Sequence, residues 1–485
     1  MSDRIVIDGS SLTCAQVARA GRGEASVAVA PAAVAAATAA WQVAREVAAA
    51  RPVYGWTTGV GANRTVHVAA AEAAEHGLNL LRSHAAGAGP LLEPELARAM
   101  LVVRLNQIGA GGSGVDPGVL DVLADAVNRG FVPPVPRYGA IGTGDLTALA
   151  ATGLCLLGER DWLPVEGSGP PPRFALRPAE VLGFQSSNAA TLGQAALACA
   201  DLNRLNRAAV PIAALSMLAV HASAEPFAAA VHRARPHPGQ QQAAAAIREL
   251  TGDELDRSAR IQDPYGYRAF PQVHGPALDA AAHAAQIVTI EINAASENPL
   301  VDPVGHAMWH NGNFHATYVG LALDAARAAL FQTAALGAAR LGTLVEPAFT
   351  GLEAFAADTP ASSGIMILEY VCQSAVADIR RLAGPAALGS AVLSRGVEEH
   401  AGFSTQSAHA SSEAITAYRA VLACELVGAV RVLRMQRRGP AGGPLRAVFD
   451  RATAVLDPRT TDRPLDGDLA AADGLLDGYA DMTGW

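Results

Sequence analysis

The chain of 485 residues contains no lysine, and all 36 of its basic side chains are therefore arginine. A protein without lysine forms no lysine Schiff base, binds no pyridoxal phosphate covalently and has no P-loop lysine. Chemistry on an amine would therefore require a different electrophile or a general base.

Positive charge and cysteine are scarce as well. The formal net charge is −9, which argues against a nucleic acid as a partner. The five cysteines are Cys14, Cys155, Cys199, Cys372 and Cys424. Their wide spacing fits neither a zinc site nor a disulfide framework and indicates free thiols in a reducing cytoplasm. The spacing of histidine, aspartate and glutamate does not indicate a metal site either.

The sequence also lacks the hydrophobic runs of a targeting or membrane segment. The first eight residues include Asp3, Arg4 and Asp8 and no apolar stretch, so we expect no signal peptide. The alanine-rich segment 27–50 is interrupted by charged and polar residues, which predicts a soluble helix and no membrane span. We therefore expect a cytoplasmic protein without a membrane partner.

Aliphatic side chains are abundant instead. Hydrophobic residues make up 51% of the chain but aromatic residues only 5%, and alanine accounts for the excess. Alanine favours long, closely packed helices, and 485 residues are too many for one compact core. We predict a mainly α fold, with an N-terminal head that carries loops (residues 1–188) and an elongated helical bundle with a helical tail (residues 189–485).

Hydrophobic spacing and helix-terminating residues predict the individual elements. A short strand is predicted at 5–7, and helices in the head at 31–51, 70–85, 94–108 and 117–128. The long helices of the bundle are predicted at 189–219, 274–293, 317–341, 365–382 and 413–434.

One glycine-rich segment stands out from this background. Residues 137–150 read Arg-Tyr-Gly-Ala-Ile-Gly-Thr-Gly-Asp-Leu-Thr-Ala-Leu-Ala. Three glycines around one threonine are typical of a turn. Asp145 follows where a helix begins, and its carboxylate is expected to accept backbone N–H groups that lack a partner within the helix.

Several blocks between residues 50 and 405 resemble, in order, the aromatic amino acid ammonia-lyases, which act on histidine, phenylalanine or tyrosine. They include Tyr54-Gly55-Trp56-Thr57-Thr58-Gly59-Val60-Gly61, Ser83-His84-Ala85-Ala86-Gly87, Pro236-His237-Pro238-Gly239-Gln240, Gln262-Asp263-Pro264-Tyr265-Gly266-Tyr267-Arg268, Glu297-Asn298-Pro299-Leu300 and Gly312-Asn313-Phe314-His315. The resemblance implies an ammonia-lyase/fumarase-like helical fold and a homotetramer whose active sites are shared between subunits.

The resemblance also implies roles for single residues. Tyr54 aligns with the tyrosine proposed to remove a proton from the β-carbon, Tyr265 with a second active-site tyrosine, and Arg268 with the arginine that holds the substrate carboxylate. The remaining substrate-binding positions implied by the alignment are His84, Gln262, Asn313, Phe314 and Glu398.

The cofactor-forming tripeptide departs from the family pattern. In the family an Ala-Ser-Gly tripeptide followed by Asp-Leu condenses into a methylidene-imidazolone electrophile (MIO), and here it aligns with Gly142-Thr143-Gly144. The reactive serine is replaced by Thr143, whose dehydration would leave a more crowded ethylidene. The asparagine that bonds the cofactor carbonyl is either absent or displaced to Asn188.

These departures lead to three hypotheses. The first is an enzyme without mature MIO, with no cofactor, that acts on an amino acid or related carboxylate by tyrosine-based proton abstraction. Elimination, isomerisation or cyclisation would be possible, with Tyr54 as the leading base, Tyr265 as its alternative and Thr143 in the site. The second is an MIO-forming histidine or tyrosine ammonia-lyase or aminomutase. The third is a non-catalytic protein that binds a ligand or assembles with an active paralogue.

Overall fold

The computed structural model describes residues 3–69, 72–165, 167, 169–255 and 260–482. Over these residues the chain forms eighteen α-helices and six short strands. The strands are β1 (Asp3–Ile7), β2 (Ala25–Val29), β3 (Ala88–Leu91), β4 (Pro136–Tyr138), β5 (Leu300–Asp302) and β6 (Ala307–Trp309). They form three separate two-stranded sheets: parallel β1–β2, antiparallel β3–β4 and antiparallel β5–β6.

The helices account for most of the chain, so the predicted mainly α fold is confirmed. They are α1 (Cys14–Gly21), α2 (Pro31–Ala50), α3 (Ala73–His84), α4 (Pro94–Gly109), α5 (Gly118–Arg129), α6 (Leu146–Leu157), α7 (Val181–Gln185), α8 (Ala189–Ala219), α9 (Ala229–Ala234), α10 (Pro238–Thr251), α11 (Tyr265–Arg268), α12 (Phe270–Ile292), α13 (Thr317–Leu344), α14 (Pro347–Thr350), α15 (Met366–Leu382), α16 (Ser404–Met435), α17 (Gly443–Val455) and α18 (Asp466–Ala480).

Most predicted helices lie where the sequence placed them, and α8 has the predicted bounds. Residues 70 and 71 of the predicted helix 70–85 lie outside the described residues, and α3 begins at Ala73. The largest difference is α16, which begins at Ser404 and not at residue 413. Its first turns are rich in small polar residues and lack the apolar periodicity on which the prediction depended.

The chain divides into two compact units. Unit 1 comprises Met1–Ala200, Ala284–Leu323 and Pro385–His409, and unit 2 comprises Asp201–His283, Asp324–Gly384 and Ala410–Trp485. The predicted head, residues 1–188, lies within unit 1, which also takes two segments from the C-terminal half of the chain.

In unit 1 a buried cluster joins three helices. Leu80 and Leu81 of α3, Ala150 and Leu154 of α6, and Val181 and Leu182 of α7 pack together, and Tyr54 packs against their edge. This cluster fixes the ends of α3 and α7 relative to each other, because closely packed side chains leave little room for displacement.

A buried ion pair supports the same region. Arg104 of α4 is 1% exposed and its Nη1 lies 2.8 Å from Glu297 Oε1. The guanidinium also donates to the carbonyls of Gly183 (2.5 Å) and Phe184 (2.9 Å) near the end of α7. Carbonyls at a helix C-terminus lack partners within the helix, so Arg104 satisfies them and fixes this end of α7.

Unit 2 consists of helical segments around buried polar contacts. Arg340 of α13 forms a bidentate pair with Glu425 of α16, with N–O distances of 2.6 and 2.7 Å. His274 of α12 is fully buried, donates from Nε2 to the Asn206 carbonyl (2.8 Å) and contacts Thr333 Oγ1 through Nδ1 (3.0 Å).

One helix among the described residues, Thr317–Leu344, is long and apolar enough to cross a membrane by length and composition. Of its most hydrophobic window, 56% is buried inside the protein. A buried core helix has the same composition, so this helix is weak evidence for a membrane span.

The burial of His274 predicts a loss of stability in acid. Burial lowers its pKa from 6.5 to about 4. Between these two pH values the unfolded chain binds a proton at His274 and the folded protein does not. The stabilisation is complete above pH 6.5 and is lost as the pH falls towards 4. It amounts to about 3 kcal/mol. Urea unfolding at pH 7.5 and 4.5 should show a smaller pH-dependent loss for His274→Asn than for wild type; equal losses would contradict the prediction.

Candidate active site

A cavity in unit 1 has a volume of about 1070 Å³. Five residues that the sequence singled out line it: Tyr54, His84, Thr143, Phe314 and Glu398. They come from segments far apart in the chain, so the fold brings together five of the eleven predicted site residues. Several polar residues that the sequence did not assign also line the cavity, among them Arg64, Ser186, His310, Asn311, His315 and His400.

Tyr54 is held by both its backbone and its hydroxyl. Its Oη accepts a hydrogen bond from the Gly61 N–H (2.8 Å), and its backbone N–H donates to His310 Nε2 (3.2 Å). Burial raises the pKa of Tyr54, and the negative charge of Glu398 raises it further, whereas the Gly61 bond and Arg64 act in the opposite direction. Within one chain Tyr54 is therefore a neutral phenol at neutral pH, and its action as a base requires more positive charge nearby.

The Gly142-Thr143-Gly144 loop has a conformation that favours glycine. Gly142 and Gly144 have φ angles of +88° and +107°. A Cβ on Gly142 would lie 2.5 Å from Ser404 Oγ and 2.8 Å from the Ser404 backbone nitrogen. This space excludes the alanine that the related tripeptide has at this position.

Hydrogen bonds fix both sides of the loop. The Gly142 carbonyl accepts from the Ala316 N–H (3.0 Å). The Gly144 N–H donates to Asn188 Oδ1 (2.8 Å), and Asn188 Nδ2 donates to the Phe314 carbonyl (2.6 Å). Asn188 thus contacts the loop, in line with the displaced position that the alignment left open.

Asp145 does not cap the helix that follows it. It occupies the N-cap position of α6, but its side chain makes no capping bond there. Its carboxylate instead accepts from the backbone N–H (2.7 Å) and hydroxyl (2.9 Å) of Thr191, in the first turn of α8. The prediction that Asp145 caps the helix it precedes is therefore wrong, and its carboxylate binds the first turn of a different helix. Burial raises the pKa of Asp145 to about 6, and the bonds from Thr191 lower it.

His84, the last residue of α3, has one ring nitrogen fixed. Gln185 Nε2 lies 3.1 Å from His84 Nδ1. Burial lowers the pKa of His84, although the nearby charge of Glu398 raises it. His84 is therefore neutral at pH 7, and because an amide nitrogen only donates, its Nδ1 accepts and its proton lies on Nε2.

Glu398 belongs to a tight turn beside the Tyr54 loop. Leu393 and Glu398 pair through the Leu393 N–H and the Glu398 carbonyl (2.8 Å). Ser394, within this turn, accepts from the Ala62 N–H through Oγ (3.0 Å). The turn therefore holds Glu398 at the cavity wall, where its side chain is exposed.

Two histidines form a pair at the same wall. His400 Nδ1 lies 3.0 Å from His315 Nε2, and His315 Nδ1 lies 2.8 Å from Thr317 Oγ1. One imidazole donates this hydrogen bond and the other accepts it, and both rings line the cavity.

Asn313 does not line this cavity. It is exposed, and its backbone N–H donates to Asn311 Oδ1 (2.8 Å). The neighbouring Asn311 lines the cavity and donates from Nδ2 to the carbonyls of Glu297 (2.9 Å) and Trp309 (3.0 Å). The substrate-binding role of Asn313 therefore stays a prediction, whereas its neighbour Asn311 lines the cavity.

Gln262, Tyr265 and Arg268 line a different cavity, in unit 2, with a volume of about 430 Å³. The Arg268 guanidinium lies 4.6 Å from the Tyr265 ring centre, and its buried Nε has no hydrogen-bond partner among the described residues. Asp263 is paired with Arg260 (2.8 Å). Arg268 is thus not the structural partner of Asp263, and it remains available to an anion.

The sequence gave no signal for Gln185, His310 or Arg64. None of them belongs to a sequence pattern that is typical of catalytic residues. The folded chain places Arg64 and His310 at the cavity wall and Gln185 against the ring of His84. Asn311 is next to the block Gly312-Asn313-Phe314-His315, so a wider reading of that block would have included it.

Known proteins resemble this chain over nearly its whole length. The family model for aromatic amino acid lyase matches residues 12–454. A histidine ammonia-lyase from Streptomyces coelicolor is 35% identical over 495 residues, covering 97% of this chain and 96% of the relative.

Solved structures agree with this comparison. A histidine ammonia-lyase from Trypanosoma cruzi has a TM-score of 0.89 at 29% identity, covering 98% of this chain and 93% of the other. A tyrosine aminomutase from Streptomyces globisporus has a TM-score of 0.91 at 28% identity, covering 99% and 97%. Ergothionase from Treponema denticola shares the fold, with a TM-score of 0.90 at 23% identity over the full length of both chains. The chain therefore belongs to the aromatic amino acid lyase family and is a lyase-like enzyme.

Proposed function

We propose that this enzyme acts on an amino acid or related carboxylate by proton abstraction, with Tyr54 as the base and an uncyclised Gly142-Thr143-Gly144 loop. The observation that carries the proposal is the loop itself, which faces the Tyr54 cavity but lacks the serine from which a methylidene group is made. The reaction would be an elimination, an isomerisation or a cyclisation.

The residues of the loop do not fit an MIO. Ring closure requires the Gly144 nitrogen to bond to the Gly142 carbonyl carbon with loss of two waters. The Gly144 N–H is engaged by Asn188. Thr143 would yield a crowded ethylidene, and the space beside Gly142 excludes the usual alanine. We therefore route no step of the mechanism through an MIO.

An open loop leaves the Thr143 hydroxyl at the cavity wall. A hydroxyl there is able to donate to an oxyanion that forms when a proton leaves the carbon next to a carboxylate. The Gly144 N–H is already engaged by Asn188 and does not contribute to such a site. Thr143 would therefore bind the anionic intermediate while Tyr54 holds the proton.

Tyr54 needs a cation before it can act as a base, because burial and Glu398 raise its pKa. Arg64 lines the same cavity and acts in the required direction. We further propose a homotetramer, as the family resemblance implies, in which a second copy supplies Arg268, Tyr265 and Gln262 to the Tyr54 cavity. Arg268 would then bind the substrate carboxylate through its planar guanidinium.

Exposed apolar side chains support assembly. In unit 1, Tyr318 and Leu321 on α13 are 71% and 55% exposed, and in unit 2, Ile367 and Tyr370 on α15 are 53% and 67% exposed. Such groups of large apolar residues on a helix surface are typical of protein interfaces.

Two other functions remain alternatives. The first is an MIO-forming histidine or tyrosine ammonia-lyase or aminomutase. The hydrogen bond from the Ala316 N–H to the Gly142 carbonyl favours it, because this bond polarises the carbonyl that ring closure attacks. The replaced serine favours a non-catalytic paralogue.

The intact mass of the purified protein tests the open loop. We expect the mass of the unmodified chain, because Thr143 does not supply a methylidene group and the Gly144 N–H is hydrogen-bonded to Asn188 in the open form. Thr143→Ala, which removes the hydroxyl that dehydration requires, is the matched reference. A deficit of two waters in the wild type but not in this variant would establish the MIO-forming alternative.

Release of ammonia from common amino acids tests the reaction type. We expect L-histidine, L-phenylalanine and L-tyrosine to yield no conjugated acrylate, or to yield it very slowly, because an open loop would present no electrophile that activates the amine. Ultraviolet absorbance of the acrylate is the measurement. Rapid formation of any of the three acrylates would show that the loop is an active electrophile.

A further inference from the structure

His310 contacts the proposed base from a distant part of the chain, and the sequence assigned it no role. The backbone N–H of Tyr54 donates to His310 Nε2 (3.2 Å), its only acceptor among the described residues. The two rings meet edge to face, with their centres 6.4 Å apart. The phenol oxygen accepts from the Gly61 N–H (2.8 Å). Tyr54 is therefore held at both ends, and His310 holds the backbone end.

The β5–β6 hairpin that leads into His310 is fixed by packing that involves no ligand. Val301 of β5 and Met308 of β6 belong to a buried apolar cluster with Val53 and Trp56, which lie on either side of the tyrosine. Close packing of this kind leaves little room for displacement. The fold itself therefore sets the geometry in which His310 meets the tyrosine N–H.

The same contact determines the protonation state of His310. A backbone N–H only donates, so Nε2 accepts, and the neutral ring carries its hydrogen on Nδ1. Arg51 lies close by, since its guanidinium donates to the Met308 carbonyl on the same hairpin. Burial lowers the pKa of His310, and the positive charge of Arg51 lowers it further. At pH 7 the ring is therefore neutral and able to accept.

Protonation of His310 would remove this acceptor. Both ring nitrogens of an imidazolium carry hydrogen, so the Tyr54 N–H would lose its partner, and the new charge would be repelled by Arg51. The other titratable or charged groups of the cavity wall are Arg64, His84, His315, Glu398, Glu399 and His400. None of these six accepts from the Tyr54 N–H, so titration of His310 acts on this bond directly.

We infer that His310 is a positioning residue: its neutral ring holds the backbone of Tyr54, and its protonation in acid releases the proposed base. A backbone carbonyl in the same place would hold the N–H at every pH, whereas an imidazole makes the bond dependent on pH. This inference rests on the proposed function in one respect, that Tyr54 acts on the ligand of the cavity. The release of the Tyr54 backbone is independent of it.

The first test needs neither a substrate nor turnover. Exchange of the Tyr54 amide hydrogen for deuterium, resolved to single residues by mass spectrometry, reports whether its hydrogen bond is closed. At pH 7.5, His310→Phe keeps an aromatic ring without an acceptor, and we expect exchange to accelerate on the order of 10-fold, the value of about one hydrogen bond. His310→Gln supplies an amide oxygen near the position of Nε2 and should restore the protection.

His306→Gln is the matched control, because His306 is an exposed histidine of the same hairpin and pairs with Glu46 (3.0 Å). It should exchange as wild type does. Unchanged protection of Tyr54 in His310→Phe would overturn the inference. If His310→Phe also exposes the amides of Trp56 and Thr57, which donate to the Val53 carbonyl, the loop has opened as a whole. His310→Gln then decides, and loss of Tyr54 protection in that variant would overturn the inference.

The second test is the pH dependence of the same protection, after division by the intrinsic exchange rate at each pH. In wild type and His306→Gln, we expect the Tyr54 protection to fall as the pH is lowered through a midpoint below 6.5, the ordinary value from which the His310 pKa is lowered. Glutamine does not titrate, so His310→Gln should keep its protection throughout. The same acid loss in His310→Gln would assign the effect to another group and refute the inference.

The third test connects the contact to the proposed reaction, through the exchange of carbon-bound hydrogens of L-histidine in D₂O. A misplaced base slows proton transfer more than it weakens binding. His310→Phe should therefore lower kcat for exchange on the order of 10-fold with KM nearly unchanged, and His310→Gln should recover most of the loss at neutral pH. A change in KM alone would contradict a positioning role. If wild type exchanges no hydrogen, the proposed function fails for this ligand, and the amide measurements still decide the role of His310.

Discussion

Tyr54→Phe is expected to abolish removal of a carbon-bound proton from the substrate while leaving ligand affinity nearly unchanged. The variant removes the hydroxyl that is the proposed base. It keeps the aromatic ring, which packs against the buried apolar cluster of helices α3, α6 and α7. Loss of a general base lowers a rate by roughly 10²- to 10⁴-fold. The Gly61 N–H loses its acceptor, which costs about 1 kcal/mol of stability and does not remove the site.

The measurement is the exchange of the α-hydrogen of L-histidine, on the carbon next to the carboxylate, and of its β-hydrogens for deuterium in D₂O, followed by nuclear magnetic resonance. Exchange requires proton abstraction and return but no leaving group, so it tests the base separately from ammonia release. Tyr138→Phe is the control, because Tyr138 is 64% exposed on β4 and does not line the cavity. Unimpaired exchange in Tyr54→Phe would exclude Tyr54 as the base and direct attention to Tyr265.

Arg268→Ala is expected to weaken carboxylate binding by about 2–5 kcal/mol, the cost of removing one partner of a buried charge pair. The guanidinium lines the unit 2 cavity, and its Nε has no hydrogen-bond partner among the described residues. A carboxylate would satisfy it with two parallel hydrogen bonds.

Calorimetry with 3-phenylpropanoate and its neutral amide isolates the charge. Wild type should prefer the carboxylate, Arg268→Ala should not, and Arg268→Lys should recover only part of the preference because an ammonium lacks the planar fork. The control is Arg419→Ala, which breaks an ion pair with Asp473 in the same unit without touching the cavity. A carboxylate preference retained in Arg268→Ala would reject the assignment.

The sequence was sufficient for the fold class and for most helix positions. Alanine-rich helices with glycine and proline at their ends carry a local signal, and α8 was located without error. The start of α16 was placed too late because its first turns contain small polar residues, which carry no periodic signal and become helical through their surroundings.

The sequence also supplied the list of candidate residues, because they lie in short blocks that follow one another in a fixed order. The blocks do not say which residues share a cavity. Tyr54, His84, Thr143, Phe314 and Glu398 line one cavity of unit 1, whereas Gln262, Tyr265 and Arg268 line another in unit 2. That division depends on the path of the whole chain and has no local signature.

By itself the sequence determined the mainly helical class, the absence of lysine chemistry, the set of candidate residues and the replacement of serine by Thr143. These follow from residue identity and local spacing. The tertiary structure alone decided that Asp145 binds the first turn of α8, that Asn188 contacts Gly144, and that Gln185 contacts the ring of His84. It also decided that burial raises the pKa of Tyr54, because desolvation and hydrogen bonding depend on neighbours that are distant in sequence.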